Sequence, residues 1–164
     1  MQENFMIEFD NFDIALLAAL QEYGRMASVT LAEQVHLSPS QVTRRLKRLE
    51  ESGTIRRYAA LLDPAAIGLN VLAFTSVSLD IQTAQTTASF RNAIAGLPQV
   101  LECFATTGDA DFLLKVATTD LAAFSDLLMT GIMPIAHVRN VRSSIVLGQF
   151  KNATAFDLSH LTRA

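Results

Sequence analysis

One stretch limits what this chain can become more than any other: Ser38 to Gly53, SPSQVTRRLKRLEESG. Ser38 is suited to cap the free N–H groups of a first helical turn, and Pro39 falls where its missing N–H costs nothing. Val42, Leu46 and Leu49 recur at i, i+4 and i+7, which makes one apolar stripe on a helix. Arg44, Arg45, Lys47 and Arg48 fill most of the remaining middle positions. Gly53 suits the left-handed residue just past a helix end. The N-terminal half is small and polar, with Ser40, Gln41 and Thr43.

A helix of this kind must bury its stripe against a partner, and the preceding segment offers one. Ser28 is a candidate cap for a helix over 29–36, where Leu31, Ala32 and Val35 form a second apolar face. Only Leu37 separates that helix from Ser38. Two helices so closely joined, the second one basic, read as a helix-turn-helix. In that motif the second helix enters the DNA major groove with its N-terminal side chains at base edges. Between Ser38 and Arg57 there are six basic residues against two acidic ones, whereas the whole chain carries a net charge of −3. A basic island in an acidic chain fits a localised contact with double-stranded DNA, although a run of basic residues also describes a solvated helix face. Ser40, Gln41, Thr43 and Arg44, early in the helix behind the cap Ser38, are the base-edge candidates. Arg45, Lys47 and Arg48 are the phosphate candidates, with Arg45 alternatively holding the helix in place through a carboxylate.

Composition excludes several other classes. Half of the residues are apolar, enough to bury a core, yet no run of about 18 uninterrupted apolar residues offers a membrane span. The N-terminus, MQENFMIEFDNFD, lacks the basic-then-apolar order of a signal peptide, so a cytoplasmic protein is expected. Cys103 is the single cysteine, and His36, His137 and His160 stand far apart, so no internal disulfide, zinc-finger spacing or metal site is expected. There is no GxGxxG, Walker or GxSxG motif. Neither a cofactor nor an enzymatic activity is expected. Cys103, within a predicted strand and lacking a flanking base, reads as a buried, inert thiol.

Residues 1–9 are expected to be poorly ordered or packed on a partner. Asp10 is a candidate cap for a first helix over 11–23, ended by Gly24. With the two helices above it makes a three-helix unit whose predicted core is Phe12, Leu16, Leu20, Leu31, Val35, Leu37, Val42, Leu46 and Leu49. Residues 55–62 alternate as an extended segment, a wing or a connecting arm, with Arg56 and Arg57 near phosphate or merely solvated. DPAAIGLN, 63–70, is turn-rich. Beyond it the period changes. Strands are predicted over 71–81, 100–107, 111–118 and 138–147, and helices over 83–96 and from Leu121 to about Thr130. Leu121, Phe124 and Leu128 should point inward on the second of these. Gly108, Asp109 and Ala110 make the turn of a hairpin. The order is the βαββαβ of ferredoxin-like folds, an antiparallel sheet with both helices on one face. The fold class is therefore α+β. A helix-turn-helix domain with its connecting strand (1–62) and a linker (63–70) precede a ferredoxin-like domain (71–150) and a C-terminal tail (151–164). Candidate outward positions on the uncovered sheet face are Cys103, Ala105, Leu113, Ala117 and Ser143. A largely apolar second face predicts burial against another copy, hence a homodimer presenting two helix-turn-helix units.

These residues carry a resemblance. FDNFDIALLAALQEYGR (9–25), the run from Leu31 to Leu69 and ATTGDADFLLKV (105–116) resemble the Lrp/AsnC, or feast/famine, family of transcription regulators. The linked pattern LS-x-x-x-V-x-x-R-x-K-R-L-E-x-x-G-x-I is met from Leu37 to Ile55. His36 departs from a position that is commonly glycine, and the tail does not obviously follow the family ending. The resemblance implies a winged or plain helix-turn-helix on promoter DNA. It also implies an ACT-like (RAM) domain that dimerises, dimers that assemble as far as octamers, and a small effector, usually an amino acid, bound between dimers. The matching effector loop is Thr107, Gly108, Asp109, Ala110 and Asp111. Backbone groups near Gly108 would meet the effector carboxylate and Asp111 its ammonium, although the same run is a good hairpin turn. The expected function is a sequence-specific, amino-acid-responsive transcription regulator. The alternatives are an architectural DNA binder with little sequence preference, and an enzyme on the same fold like the sirohaem decarboxylases, which use histidine and arginine around a tetrapyrrole.

Overall fold

A computed structural model describes residues 8–161. The expectation for residues 1–9 therefore falls mostly outside the described residues. The chain forms two compact units, one from residues up to Leu61 together with the segment from Lys151, the other from Leu62 to Phe150.

The first unit is built on three helices, α1 (Asn11–Glu22), α2 (Ser28–Gln34) and α3 (Pro39–Glu51). Two of them start with reciprocal caps. The Asp10 carboxylate accepts from the Asp13 N–H while the Asp13 carboxylate accepts from the Asp10 N–H. Ser38 and Gln41 do the same at α3, with Pro39 in the first turn. Ser28 is not a cap: it is the first residue of α2, Ala27 stands before it without a side-chain bond, and the helix stops at Gln34. Leu16, Ala19, Leu31, Ala32, Val35 and Val42 form the core, with Leu20, Leu37 and Leu46 partly buried against it. Leu49 is also fully buried. Phe12, expected inside, is exposed, because its ring lies beside the Arg45 guanidinium instead. The turn between α2 and α3 places His36 in the left-handed region at φ 55°. Only glycine enters this region without steric cost. Residues 54–63 enter no sheet ladder, so this is the plain three-helix form without a wing.

The second unit has the order β1 (Val71–Leu79), α4 (Ala84–Ala95), β2 (Val100–Ala105), β3 (Phe112–Thr118), α5 (Leu121–Asp126), β4 (Val138–Ile145). Its antiparallel sheet runs β2-β3-β1-β4. Helix α5 continues as a π-helical turn over Leu127–Ile132, where a side chain on Gly131 would stand 3.1 Å from Leu127 and 3.4 Å from Leu97. Leu121, expected inward, is exposed. Val71, Ala73, Val77 and Leu79 of β1 and Phe112, Leu114 and Val116 of β3 pack with Phe90, Ile94, Phe124, Leu127 and Ile132. The register then assigns every other position. Cys103 pairs with Leu114, Ala105 with Phe112 and Ser143 with Thr75, so these three share the helix face rather than the open one. Leu113 and Ala117 do lie on the open face, with Leu72, Phe74 and Phe104. Cys103 is exposed, since β2 is an edge strand, which corrects the expectation of a buried thiol.

The left-handed turn makes a direct prediction. His36→Gly should stabilise the three-helix unit by about 0.5–1 kcal/mol, the cost of a side chain in that region less the extra chain entropy of glycine. Denaturant unfolding compares it with His36→Ala, which should gain nothing.

Candidate nucleic-acid interface

Helix α3 presents its basic residues in two groups, and a buried carboxylate does the sorting. Asp13 lies on α1 three residues before Leu16, on the inward face, and is fully buried. Its Oδ1 accepts from Arg45 Nη1 at 2.7 Å, and its Oδ2 accepts from Arg48 Nη2. Arg45 Nη1 also lies 2.8 Å from Asp10 Oδ2, with its guanidinium carbon 5.4 Å from the centre of the Phe12 ring. Burial would raise the Asp10 carboxyl, but the Asp13 N–H and the Arg45 guanidinium outweigh it and hold the carboxyl below its ordinary value. Burial would likewise lower Arg45, and its bonds to Asp13 and Asp10 reverse that. Arg45 therefore takes the positioning role open to it in the sequence. Arg48 shares the role, with about half of its side chain still exposed.

The other group faces solvent. Ser38, Ser40, Gln41, Thr43, Arg44 and Lys47 are all exposed. Gln41 Oε1 is committed to the Ser38 cap, which leaves its amide nitrogen outward. The Thr43 hydroxyl donates to the Pro39 carbonyl at 2.9 Å, so its methyl and remaining lone pair are what it can offer. Arg44 enters no salt bridge among the described residues. Lys47 meets Glu51 only at 3.7 Å on an exposed helix surface, a pairing worth about 0–1 kcal/mol and readily exchanged for phosphate. Arg56 and Arg57 are exposed on the arm that follows. The arm is pinned by Tyr58, whose hydroxyl donates to Glu50 Oε1 at 2.9 Å; burial and that neighbouring carboxylate push its pKa up to about 12.

In the second unit the loop Thr107–Asp111 closes the β2–β3 hairpin. The Thr106 N–H donates to the Asp111 carbonyl and the Thr106 hydroxyl to the Ala110 carbonyl. Gly108 sits at φ 122°, where a side chain would be strained. Asp111 is engaged inside the fold: Oδ2 accepts from the Leu79 N–H at 2.7 Å and Oδ1 from the Gln82 amide. The Asp109 carbonyl accepts from Ser78, while its carboxylate is exposed and unpaired among the described residues. The sequence reading missed Asp13 and Gln82. An aspartate in register with the apolar stripe of α1 was the one available signal for Asp13; nothing local marked Gln82.

A capped basic helix anchored on a second helix, joined in one chain to a βαββαβ domain, defines a DNA-binding regulator with a ligand-binding module. Known proteins agree. Residues 9–50 match the AsnC-type helix-turn-helix domain and residues 72–156 the Lrp/AsnC ligand binding domain. The leucine-responsive regulatory protein of Rhizobium meliloti (strain 1021) is 35% identical over 152 residues, 93% of this chain and 97% of that protein. A transcriptional regulator from Neisseria meningitidis, solved as its L-Met complex, superposes with a TM-score of 0.90 at 41% identity, covering 94% of this chain and 99% of that one. A feast or famine regulatory protein from M. tuberculosis, complexed with L-methionine, gives 0.79 at 30% identity, covering 90% and 97%. The chain belongs to the Lrp/AsnC family, and is a sequence-specific DNA-binding regulator of that amino-acid-responsive family rather than an enzyme. Among the described residues no helix is long and apolar enough to cross a membrane.

The two groups on α3 should separate in binding experiments. Arg44→Ala should cost about 1–3 kcal/mol on a preferred site and relax specificity there, whereas Lys47→Ala should weaken all sequences alike and reduce the salt slope by about 1. Arg45→Ala should instead lower the unfolding midpoint of the three-helix unit. Salt-dependent anisotropy and thermal unfolding on the same variants distinguish these outcomes.

Acid should act through Asp10. Its folded pKa lies below the ordinary 3.8, so its contribution is fully present above that value and is lost as pH falls through the lower folded one. Unfolding measured between pH 5 and about 2 should show a loss of stability that is smaller in Asp10→Asn.

Proposed function

We propose that α3 reads DNA through Ser40, Gln41, Thr43 and Arg44, with Ser38 closing the helix end, and that Lys47 and the outer side of Arg48 meet phosphate. The observation that carries this reading is the sorting by Asp13. It spends Arg45 on holding the helix and leaves Arg44 outward in the half of the helix that meets base edges.

The effector reading places an amino acid at Thr107, Gly108, Asp109 and Ala110, with backbone groups near Gly108 for its carboxylate. The ammonium falls to Asp111, whose oxygens each keep a lone pair beyond the bonds to Leu79 and Gln82, with the exposed Asp109 carboxylate beside it. An apolar amino acid is favoured by the two relatives solved with L-methionine. The working unit is a homodimer formed through the open sheet face, where Phe74 and Phe104 are 39% and 47% exposed beside Leu72 and Leu113. Dimers assembling further, as far as octamers, would bring effector loops together.

A genomic-fragment binding selection at near-physiological salt, with and without pooled amino acids, tests the whole reading. It should yield a two-fold-symmetric motif whose affinity shifts with the pool holding methionine and leucine. Binding that yields no motif and follows salt alone would sink it in favour of an architectural role.

A further inference from the structure

We infer that the groove between α4 and β2 is a second small-molecule site, one that takes a carboxylate carrying a short apolar chain. The groove is distinct from the hairpin loop: no residue from Thr107 to Asp111 lines it. Strand β2 reads VLECFA, yet five of its six residues are exposed, because it is an edge strand and α4 does not close over it. A register shift between Val100 and Glu102 bends it further out of regular pairing. What remains is a cavity of about 540 Å³, within the roughly 300–1,000 Å³ typical of ligand sites.

The lining has a definite chemistry. Ile94 and Phe112, each 4% exposed, form an apolar floor. Phe112 is stacked on the buried Phe90 with centroids 4.5 Å apart, which keeps the floor from swinging up to fill the space. Thr87, Arg91 and Asn92 of α4 stand on one wall and Cys103 of β2 on the other. Arg91 enters no salt bridge among the described residues. Glu102 of β2 also lines the groove, and its carboxylate is held by Lys115 Nζ at 2.8 Å. Arg91 and Cys103 line the same groove; burial pushes the Cys103 thiol up, and the Arg91 charge partly offsets this. A guanidinium fork with a neighbouring amide and hydroxyl above an apolar floor recognises a carboxylate at one end and a hydrocarbon chain at the other.

Cys103, the only cysteine in the chain, makes the test direct. Its alkylation rate by iodoacetamide is measured on the full chain, alone and with L-leucine, L-methionine or L-leucinamide, alongside calorimetric titration. L-leucine and L-methionine should slow alkylation severalfold and L-leucinamide should not. Arg91→Met should raise the concentration needed for protection by about tenfold or more, the loss of one charge-assisted pair. Arg91→Lys, which keeps the charge but not the fork, should fall between. Equal protection by L-leucinamide overturns the carboxylate assignment. Binding seen by calorimetry with alkylation unchanged puts the ligand elsewhere, which overturns the groove and leaves the effector reading standing. No protection and no binding by any of the three overturns the groove as well.

Discussion

The three-helix unit depends on one buried carboxylate. Asp13 is withdrawn from water and holds two arginines that sit one turn apart on α3, Arg45 and Arg48. A buried carboxylate left without its partners costs about 3–5 kcal/mol, against the 5–15 kcal/mol by which a domain is normally stable. The angle between α1 and α3 is therefore not a matter of apolar packing alone, since an apolar stripe tolerates sliding and rotation that a two-armed ion pair does not. The same carboxylate closes the cap of α1 through the Asp10 N–H. The start of one helix and the middle of the other are thus fixed at a single point, and the outward residues of α3 inherit their direction from it.

A comparable device organises the ligand-binding unit. β1 lies between β3 and β4, and its alternate residues face the helices. At its C-terminal end Asp111 reaches across from the hairpin to take the Leu79 N–H, and the Asp111 N–H donates back to the Val77 carbonyl. The hairpin loop is therefore anchored at its root, with Gly108 and the Asp109 carboxylate exposed at its tip. His137, at φ 70°, closes the other side of that strand end through Asp80, with their atoms 3.0 Å apart. Under the proposed effector reading, a rigid root with an exposed glycine tip lets the scaffold rather than the ligand meet the ordering cost.

Local signals carried much of this architecture. Caps at Asp10 and Ser38 were visible as residue types at helix starts, and period-two strands and period-3.6 helices followed from apolar spacing, although Thr83, counted in its helix by spacing, is the cap before it. What escaped was set by tertiary neighbours. Phe12 fits a helical stripe but lies beside Arg45, a choice that depends on a residue 33 positions away. The facing of Cys103 and Ser143 was open because a strand shows two faces and only the register with β3 or β1 says which one the helices cover. The π-helical turn after α5 has no periodic signature; it is visible only once Gly131 is seen against Leu97. On α3, residue type named the basic positions. It could not divide them into those held in the fold and those left to solvent, since that division belongs to Asp13.

The division has a consequence for affinity. Of the six basic residues between Ser38 and Arg57, Arg45 is spent on the fold and Arg48 partly so. Under the proposed reading Arg44 goes to bases, so Lys47, Arg56, Arg57 and the outer side of Arg48 remain, about four phosphate-capable cations per unit. At a slope of about 0.9 per neutralised phosphate, one unit alone binds with modest electrostatic strength and modest salt dependence. Holding α3 rigidly lowers the ordering cost of each contact but does not add contacts. Strong discrimination of an operator must then come from several units acting on one DNA segment, where the second binding event is intramolecular and its effective concentration is set by how the units are held together. A ligand that alters the assembly would in that case alter operator affinity without touching a single residue of α3. Under the proposed dimer, this is the physical reason for joining so small a reading head to an oligomerising, ligand-binding sheet.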